Sequence, residues 1–244
     1  MTEYDDLDWL YDVLYAACDD TVFEQDFLNQ FHDILSTPKK VLDASCGNGI
    51  QAVALAKKGY EVTAADISEK MVLLTRNRSA KSKVHIETMV SSWQKLPQQK
   101  MKYDLVFCYG NSISHSLSKE DRIKNIISLS ECLNKEGILI IDTRNWDKIS
   151  QTKYTIYPKR KYNGNEYMPI YIWDISKEDN QSSVNILFTE CKNNELNIYE
   201  KKLTFCTFRH NEFVSEINNM GLIIIKDTYK ENSDEYCLYI KLHA

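Results

Sequence analysis

A doubly wound α/β sheet of mostly parallel strands, carrying an inserted antiparallel β element, is the fold class this sequence predicts. Three observations lead there. Between residues 40 and 142, short apolar runs alternate with longer amphipathic ones, the rhythm of strands covered on both faces by crossover helices. A loop with two glycines, Gly47-Asn48-Gly49, stands between the first such strand and its helix. Beyond Asp147 the texture changes to stretches rich in Tyr, Ile, Thr and Phe, broken by turn residues, which is the pattern of hairpins.

The elements follow in order. Residues 4–35 carry a helical stripe, Leu7, Leu10, Tyr11 and Leu14, resumed by Phe23, Phe27, Phe31, Ile34 and Leu35 after a cap at Asp19-Asp20-Thr21; Pro38 stops it. A strand at 40–44 leads through the glycine loop to a helix at 50–58, which ends at Gly59, a residue free to take the left-handed conformation of a helix C-terminus. Strands at 61–65, 83–89, 103–108 and 138–142 alternate with helices at 68–79 and 120–133. Turn signals at Asn163-Gly164-Asn165 and Asn193-Asn194 break residues 154–174 and 184–208 into antiparallel strands. A helix at 212–220 and strands at 222–225 and 236–241 close the chain, the last two forming an antiparallel pair through residues 231–234.

Composition narrows the class of partner. The 244 residues suffice for one sizeable core with a modest appended element, and a formal net charge of -5 leaves no electrostatic footprint for a phosphate backbone. Nucleic acid is therefore excluded as the main partner. The short basic groups, Lys57-Lys58 and residues 159–161 among them, are solvated faces. Seven cysteines are scattered, with no CxxC pair and no His at ligand spacing, so a metal site is not expected and a reducing compartment is. No apolar run reaches bilayer length, and the acidic first eight residues lack the basic-then-apolar pattern of a signal peptide. A cytoplasmic location without membrane contact follows.

The loop is where a ligand is expected. Residues 47–52 fit G-x-G-x-x-G/A, a pattern in which glycines let the backbone approach a ligand at a helix N-terminus; a tight turn without ligand is the plain alternative. Asp66 ends the second strand, where a carboxylate can accept both hydroxyls of an adenosine ribose, whether in NAD or in S-adenosylmethionine. Asp43 discriminates. At the end of the first strand it would repel a dinucleotide's pyrophosphate but attract the ammonium of a methionine moiety, which favours S-adenosyl-L-methionine; its other reading is a charge partner for the helix N-terminus.

Residues 41–49, Val-Leu-Asp-Ala-Ser-Cys-Gly-Asn-Gly, resemble the first motif of class I methyltransferases, in a variant lacking the first of three glycines. Ser92-Trp93, the stretch from Cys108 to His115 (Cys-Tyr-Gly-Asn-Ser-Ile-Ser-His), and that from Ile141 to Asp147 (Ile-Asp-Thr-Arg-Asn-Trp-Asp) resemble the glycine and sarcosine N-methyltransferases in particular. The resemblance is close over residues 40–149 and extends to the rest in outline. It implies a Rossmann-like seven-stranded sheet, S-adenosylmethionine as methyl donor, a small amino acid as acceptor and possible homo-oligomers. Ser45, Gly47, Gly49, Asp66, Ile67 and Met71 would line the donor, Ser92 and Trp93 flank its adenine, and Tyr109 lie beside its methionine portion. Asn111 and Arg144 would grip the acceptor's carboxylate, with His115 near the transferred methyl.

Each of these residues has a plainer reading: core packing for Trp93, a structural hydrogen bond for His115, an ion pair with Asp142 or Asp147 for Arg144. The family's N-terminal arginine, which helps bind the donor's carboxylate, has no counterpart, since no arginine precedes Arg76; Tyr4, Trp9, Tyr11, Tyr15 and Gln25 are the candidates to close the site instead. Residues 1–38 thus read as a helical cap, 39–150 with 209–244 as the core, and 151–208 as an antiparallel insertion on the acceptor side or at an interface. The rivals are a methyltransferase of another small acceptor, a non-catalytic donor-binding relative and an NAD-dependent oxidoreductase, the last in conflict with Asp43.

Overall fold

The computed structural model describes residues 20–35, 39–116, 118–149, 153–175, 181–192 and 195–243, together with Leu10, Val13 and Leu14. Tyr11 and the Asn193-Asn194 turn lie outside them. In chain order the elements are α1 (Asp20–Gln30), β1 (Lys40–Asp43), α2 (Ile50–Lys57), β2 (Glu61–Asp66), α3 (Glu69–Ser82), β3 (Glu87–Val90), a 3-10 stretch (Trp93–Gln99), β4 (Tyr103–Cys108), a 3-10 turn (Ser112–His115), α4 (Lys119–Ser130) and β5 (Leu133–Arg144). There follow α5 (Trp146–Ile149), β6 (Tyr154–Ile156), β7 (Arg160–Tyr162), β8 (Asn165–Ile175), β9 (Gln181–Lys192), β10 (Glu195–Cys206), α6 (His210–Asn219), β11 (Leu222–Asp227) and β12 (Glu235–Leu242).

Seven strands make the main sheet, in the order β11-β12-β5-β4-β1-β2-β3. β1, β2, β3, β4 and β5 are parallel; β12 enters antiparallel to both β5 and β11. This is the Rossmann-like sheet expected from the alternation. Val41, Leu42, Leu105, Val106, Ile140 and Ile141 are fully buried at its centre, which is why these strands are continuous apolar runs rather than alternating ones. One face is covered by α1 and α2, where Phe31 meets Phe107 edge to face and Phe27 packs on both at a tilt, and the other by α4, α6 and the second sheet. Each such side chain contributes on the order of 1.5–3 kcal/mol by leaving water.

The second sheet runs β10-β9-β8-β6, with β7 on β8. Asn163 and Gly164, both at positive φ (48° and 81°), form the two-residue turn that pairs Tyr162 with Asn165. Its inner residues Trp173 and Phe205 pack on Trp146, so this sheet is fastened to the end of β5. No helix among the described residues is long and apolar enough to cross a membrane.

Two boundaries differ from expectation. The helix from Asp20 ends at Gln30, short of the stripe residues Phe31, Ile34 and Leu35. β5 begins at Leu133, where its pairing with Tyr103 extends it beyond the apolar run at 138–142. Residues 93–99 coil despite Pro97, because the turn is closed by Lys95 N to Ser92 O and Lys100 N to Pro97 O, neither of which needs the missing proline N–H.

Arg122 on α4 and Glu216 on α6 form a buried two-pronged ion pair, with Arg122 Nε and Nη2 donating to the carboxylate at 3.0 and 2.9 Å. The Arg122→Met variant leaves buried Glu216 with only the longer ion pair to Lys119 Nζ at 3.6 Å and is expected to lose about 3–5 kcal/mol in urea denaturation. The double variant Arg122→Met/Glu216→Leu should recover most of that loss. Equal destabilisation of the two variants would show that the pair is not the source.

Candidate active site

β1 and β4 are neighbours in the sheet, but β1 connects onward to β2 on one side and β4 to β5 on the other. At such a switch point the chain leaves a crevice beyond the carboxyl ends of the strands. A cleft of about 590 Å³ opens there.

Its floor is the glycine loop. Ser45, standing where the motif's first glycine would be, donates through Oγ to the Tyr109 carbonyl at 3.0 Å and accepts from the Tyr109 amide at 3.1 Å, clipping the end of β1 to the end of β4. Gly47 (φ 51°) donates its N–H to Asp66 Oδ2 at 3.0 Å, and Ser68 N donates to Asp66 Oδ1 at 2.9 Å. Through these two bonds the Asp66 carboxylate anchors the loop, and the residue lies on the cleft wall. Gly49 (φ 81°) lies against α3, where an added Cβ would come within 2.8 Å of the Thr75 backbone. Glycine is required there by the close approach as well as by the backbone conformation.

Ile67, Met71, Ser92 and Trp93 line the cleft beyond Asp66. Trp93 is no free core residue: its Nε1 donates to Ala44 O at 2.7 Å, which holds the indole against the loop. Asp43 lies behind the wall, only 1% exposed; Ser45 N donates to Oδ1 at 3.4 Å, and Oδ2 has no hydrogen-bond partner. Burial pushes its pKa up to about 7, against the Ser45 amide and with the help of nearby Asp66.

At the other end Tyr109 lines the cleft while its ring meets Phe27 and Phe31 edge to face and its hydroxyl donates to Gln30 Oε1 at 3.0 Å, which ties α1 to the site. Asn111 is buried at φ 61°, and its Oδ1 accepts from Ser114 Oγ, Thr143 Oγ1 and the Arg144 amide, at 2.9, 3.2 and 3.0 Å. It fixes the turn that carries His115 and is not on the cleft wall. Arg144 also lies behind the wall, its guanidinium 5.2 Å from the Trp173 ring and 5.8 Å from Tyr171. The two carboxylates considered as its ion-pair partners are engaged by backbone amides: Asp142 by Gly110 and Asn111, Asp147 by His210.

His115 lines the cleft beside Phe205, with ring centroids 4.7 Å apart. Burial, opposed by a backbone hydrogen bond at Thr204 and assisted by the charge of Arg144, lowers its pKa to about 4, so the imidazole is neutral at pH 7. Among the wall residues that carried no motif in the sequence are Gln94, Ser116, Asp121 and Asn125. The spacing of Asp121 and Asn125, four apart on one helix, was the available signal.

Residues 41–137 match the family model described as a methyltransferase domain. The chain carries a methyltransferase domain. Over 124 residues it is 33% identical to a glycine/sarcosine N-methyltransferase of Aphanothece halophytica, an alignment covering 49% of this chain and 47% of that one. The chain spans about half the length of the curated relatives it matches. An S-adenosylmethionine-dependent methyltransferase from Clostridium acetobutylicum superposes with a TM-score of 0.77 at 18% identity, covering 100% of both chains. An amino pentose methyltransferase from Micromonospora echinaspora, solved with S-adenosylmethionine bound, gives 0.76 at 10% identity over 96% of this chain and 97% of that one. Those two likenesses establish that the fold is shared by S-adenosylmethionine-dependent methyltransferases.

The methyltransferase domain should show the His115 burial in its pH dependence. An unfolded histidine takes up a proton near pH 6.5, whereas the folded ring resists it until about 4, so between these values the unfolded state binds more protons and stability falls with pH. Wild type is expected to lose stability relative to His115→Gln as pH drops from 6.5 towards 4, measured by urea denaturation. A pH-independent difference between the two would contradict the burial of a neutral ring.

Proposed function

We propose that this chain transfers a methyl group from S-adenosyl-L-methionine to the amine of a small amino acid, with glycine or sarcosine as the acceptor class its motifs resemble. The observation that carries the donor assignment is the pair of carboxylates at the glycine loop. Asp66, on the wall at the end of β2, suits ribose hydroxyls; Asp43, with a buried oxygen lacking a partner, suits an ammonium and opposes a pyrophosphate. When bound, the donor supplies a sulfonium-activated methyl. Trp93 and Ile67 are positioned to hold its adenine, and the Ser45 clip keeps the loop at fixed width beneath it.

The acceptor end is supported by chemistry of opposite sign. Arg144 stands behind His115 with a guanidinium suited to a carboxylate in two parallel hydrogen bonds. Asn111 sets the turn, and the neutral imidazole of His115 with Tyr109 borders the space where a neutral amine would align. Displacement at a methyl needs an uncharged nucleophile held in line and little proton transfer, so orientation and the exclusion of water supply most of the rate. In this reading residues 39–150 and 209–244 form the donor-binding core under a cap at 1–38, and 151–208 close the acceptor side. The buried free thiols of Cys46, Cys108, Cys132, Cys206 and Cys237 fit a cytoplasmic setting.

Calorimetric titration should show S-adenosylhomocysteine binding and no comparable NAD binding; the reverse would overturn the donor assignment. Asp66→Asn should weaken S-adenosylhomocysteine by roughly 1–3 kcal/mol. Because an ammonium favours ionised Asp43, donor affinity should rise as pH increases through about 7, with proton release visible as a buffer-dependent heat that Asp43→Asn abolishes. In a labelled-methyl assay over glycine, sarcosine, dimethylglycine and their amides, Arg144→Lys should raise the Michaelis constant for the acids and leave donor affinity nearly unchanged. Equal methylation of acids and amides by wild type would remove Arg144 from carboxylate recognition.

A further inference from the structure

The cleft has a second wall that the reading above leaves unused. Gln94 Nε2 donates to Asp121 Oδ1 at 3.0 Å and to Asn125 Oδ1 at 3.1 Å. Asn125 Nδ2 donates to Ser116 Oγ at 3.1 Å and, at 3.4 Å, to Asp121 Oδ2. All four side chains line the cleft, and Ser116 and Asn125 are buried.

Counting hydrogens gives this wall its character. A primary amide has two N–H donors, and those of Gln94 and Asn125 are both spent inside the cluster. The wall is therefore rich in oxygen lone pairs, with the Asp121 carboxylate at its centre, and it favours a ligand group that donates. Through Asn125 and Ser116 it is fastened to the turn that carries His115, and His115 is in turn bonded at Thr204 of β10, which also lines the cleft. It thus belongs to the end of the cleft where the acceptor is assigned. Arg144 supplies positive charge behind His115, and Asp121 negative charge on the wall.

Resting on the assignment of an amino-acid acceptor, we propose that Asp121, held by Gln94 and Asn125, reads a second donor group on that acceptor, a side-chain hydroxyl or ammonium remote from the methylated nitrogen. Glycine has no such group. A site built to hydrogen-bond a substrate donor discriminates strongly against the analogue lacking it, because its own polar atoms lose their partner.

The test uses the full chain, labelled S-adenosylmethionine and three acceptors that differ in one group: norvaline, homoserine and 2,4-diaminobutyrate. Wild type is expected to favour homoserine or 2,4-diaminobutyrate over norvaline by about tenfold or more in kcat/KM. Asp121→Ala should bring that ratio close to one. Asp121→Asn, which keeps an oxygen acceptor but no charge and is isosteric, should reduce the preference for the ammonium more than that for the hydroxyl. Calorimetry should show S-adenosylhomocysteine affinity nearly unchanged in both variants.

The absence of a preference in wild type, or its persistence in Asp121→Ala, overturns the proposal. So does a loss of S-adenosylhomocysteine affinity in Asp121→Asn with the acceptor ratio intact, since Asp121 would then read the donor's adenine. Methylation of glycine with no discrimination among the three overturns this inference alone. Binding of S-adenosylhomocysteine with no amino acid methylated overturns the acceptor assignment beneath it as well.

Discussion

Two adjacent parallel strands whose chains depart in opposite directions cannot cover the gap above their own ends, and everything functional in this molecule is arranged around that gap. The ends of β1 and β4 are held together by backbone pairing and by the Ser45 hydroxyl, which serves the Tyr109 amide and carbonyl at once. Ala44 N reaches Phe107 O on the β4 side and Cys46 N reaches Ala65 O on the β2 side, so the loop hangs from three strands. Burial of the apolar strand centres sets the sheet, and these ties set the width of the crevice that the sheet leaves open.

The fold was legible because its signals are local and repeated. Val41 and Leu42, Val106, and Ile140 and Ile141 announce strands buried on both faces, and Asn163-Gly164 announces a two-residue hairpin with positive φ at both positions. Boundaries that depend on partners were less so. β5 starts at Leu133 because Tyr103 is there to pair with it, and the coil at 93–99 depends on hydrogen bonds that step around Pro97. The glycine-loop half of the cleft sits at the ends of two successive strands, β1 and β2, and Asp43, Asp66, Gly47 and Gly49 could be named from order alone. The opposite half is assembled from the 3-10 stretch, the His115 turn, α4 and β10. Gln94 and Asp121 are 27 residues apart, and no spacing rule connects them.

The run from Asp142 to Asp147 shows how a motif can matter without facing a ligand. Asp142 takes the Gly110 and Asn111 amides, and the Asn145 side-chain amide donates to the carbonyls of Lys230, Glu231 and Ser233. Trp146 donates to Ser114, and Asp147 accepts the His210 amide. Asp142, Asn145, Trp146 and Asp147 therefore bind the turn before α4, the connection between β11 and β12, and the start of α6 into one frame. Arg144 rises from that frame, oriented by two aromatic faces of the second sheet.

The packing at Gly49 has a consequence for how this molecule adapts. The loop carbonyl of Gly47 accepts from Thr75 Oγ1 at 3.0 Å, that of Asn48 accepts from Arg78 Nε at 2.9 Å, and the Gly49 backbone touches α3 with no room for a methyl group. Loop and helix consequently shift together or not at all, since sliding one past the other would break both bonds and a close backbone contact. The half of the cleft built on the glycine loop behaves as a mould with a set shape. Adjustment to different occupants is left to the opposite rim, where the end of β10 and the turn bearing His115 come from separate parts of the chain. Variation among relatives with this architecture should accordingly accumulate on that rim, while the mould tolerates little more than glycine at its tightest point.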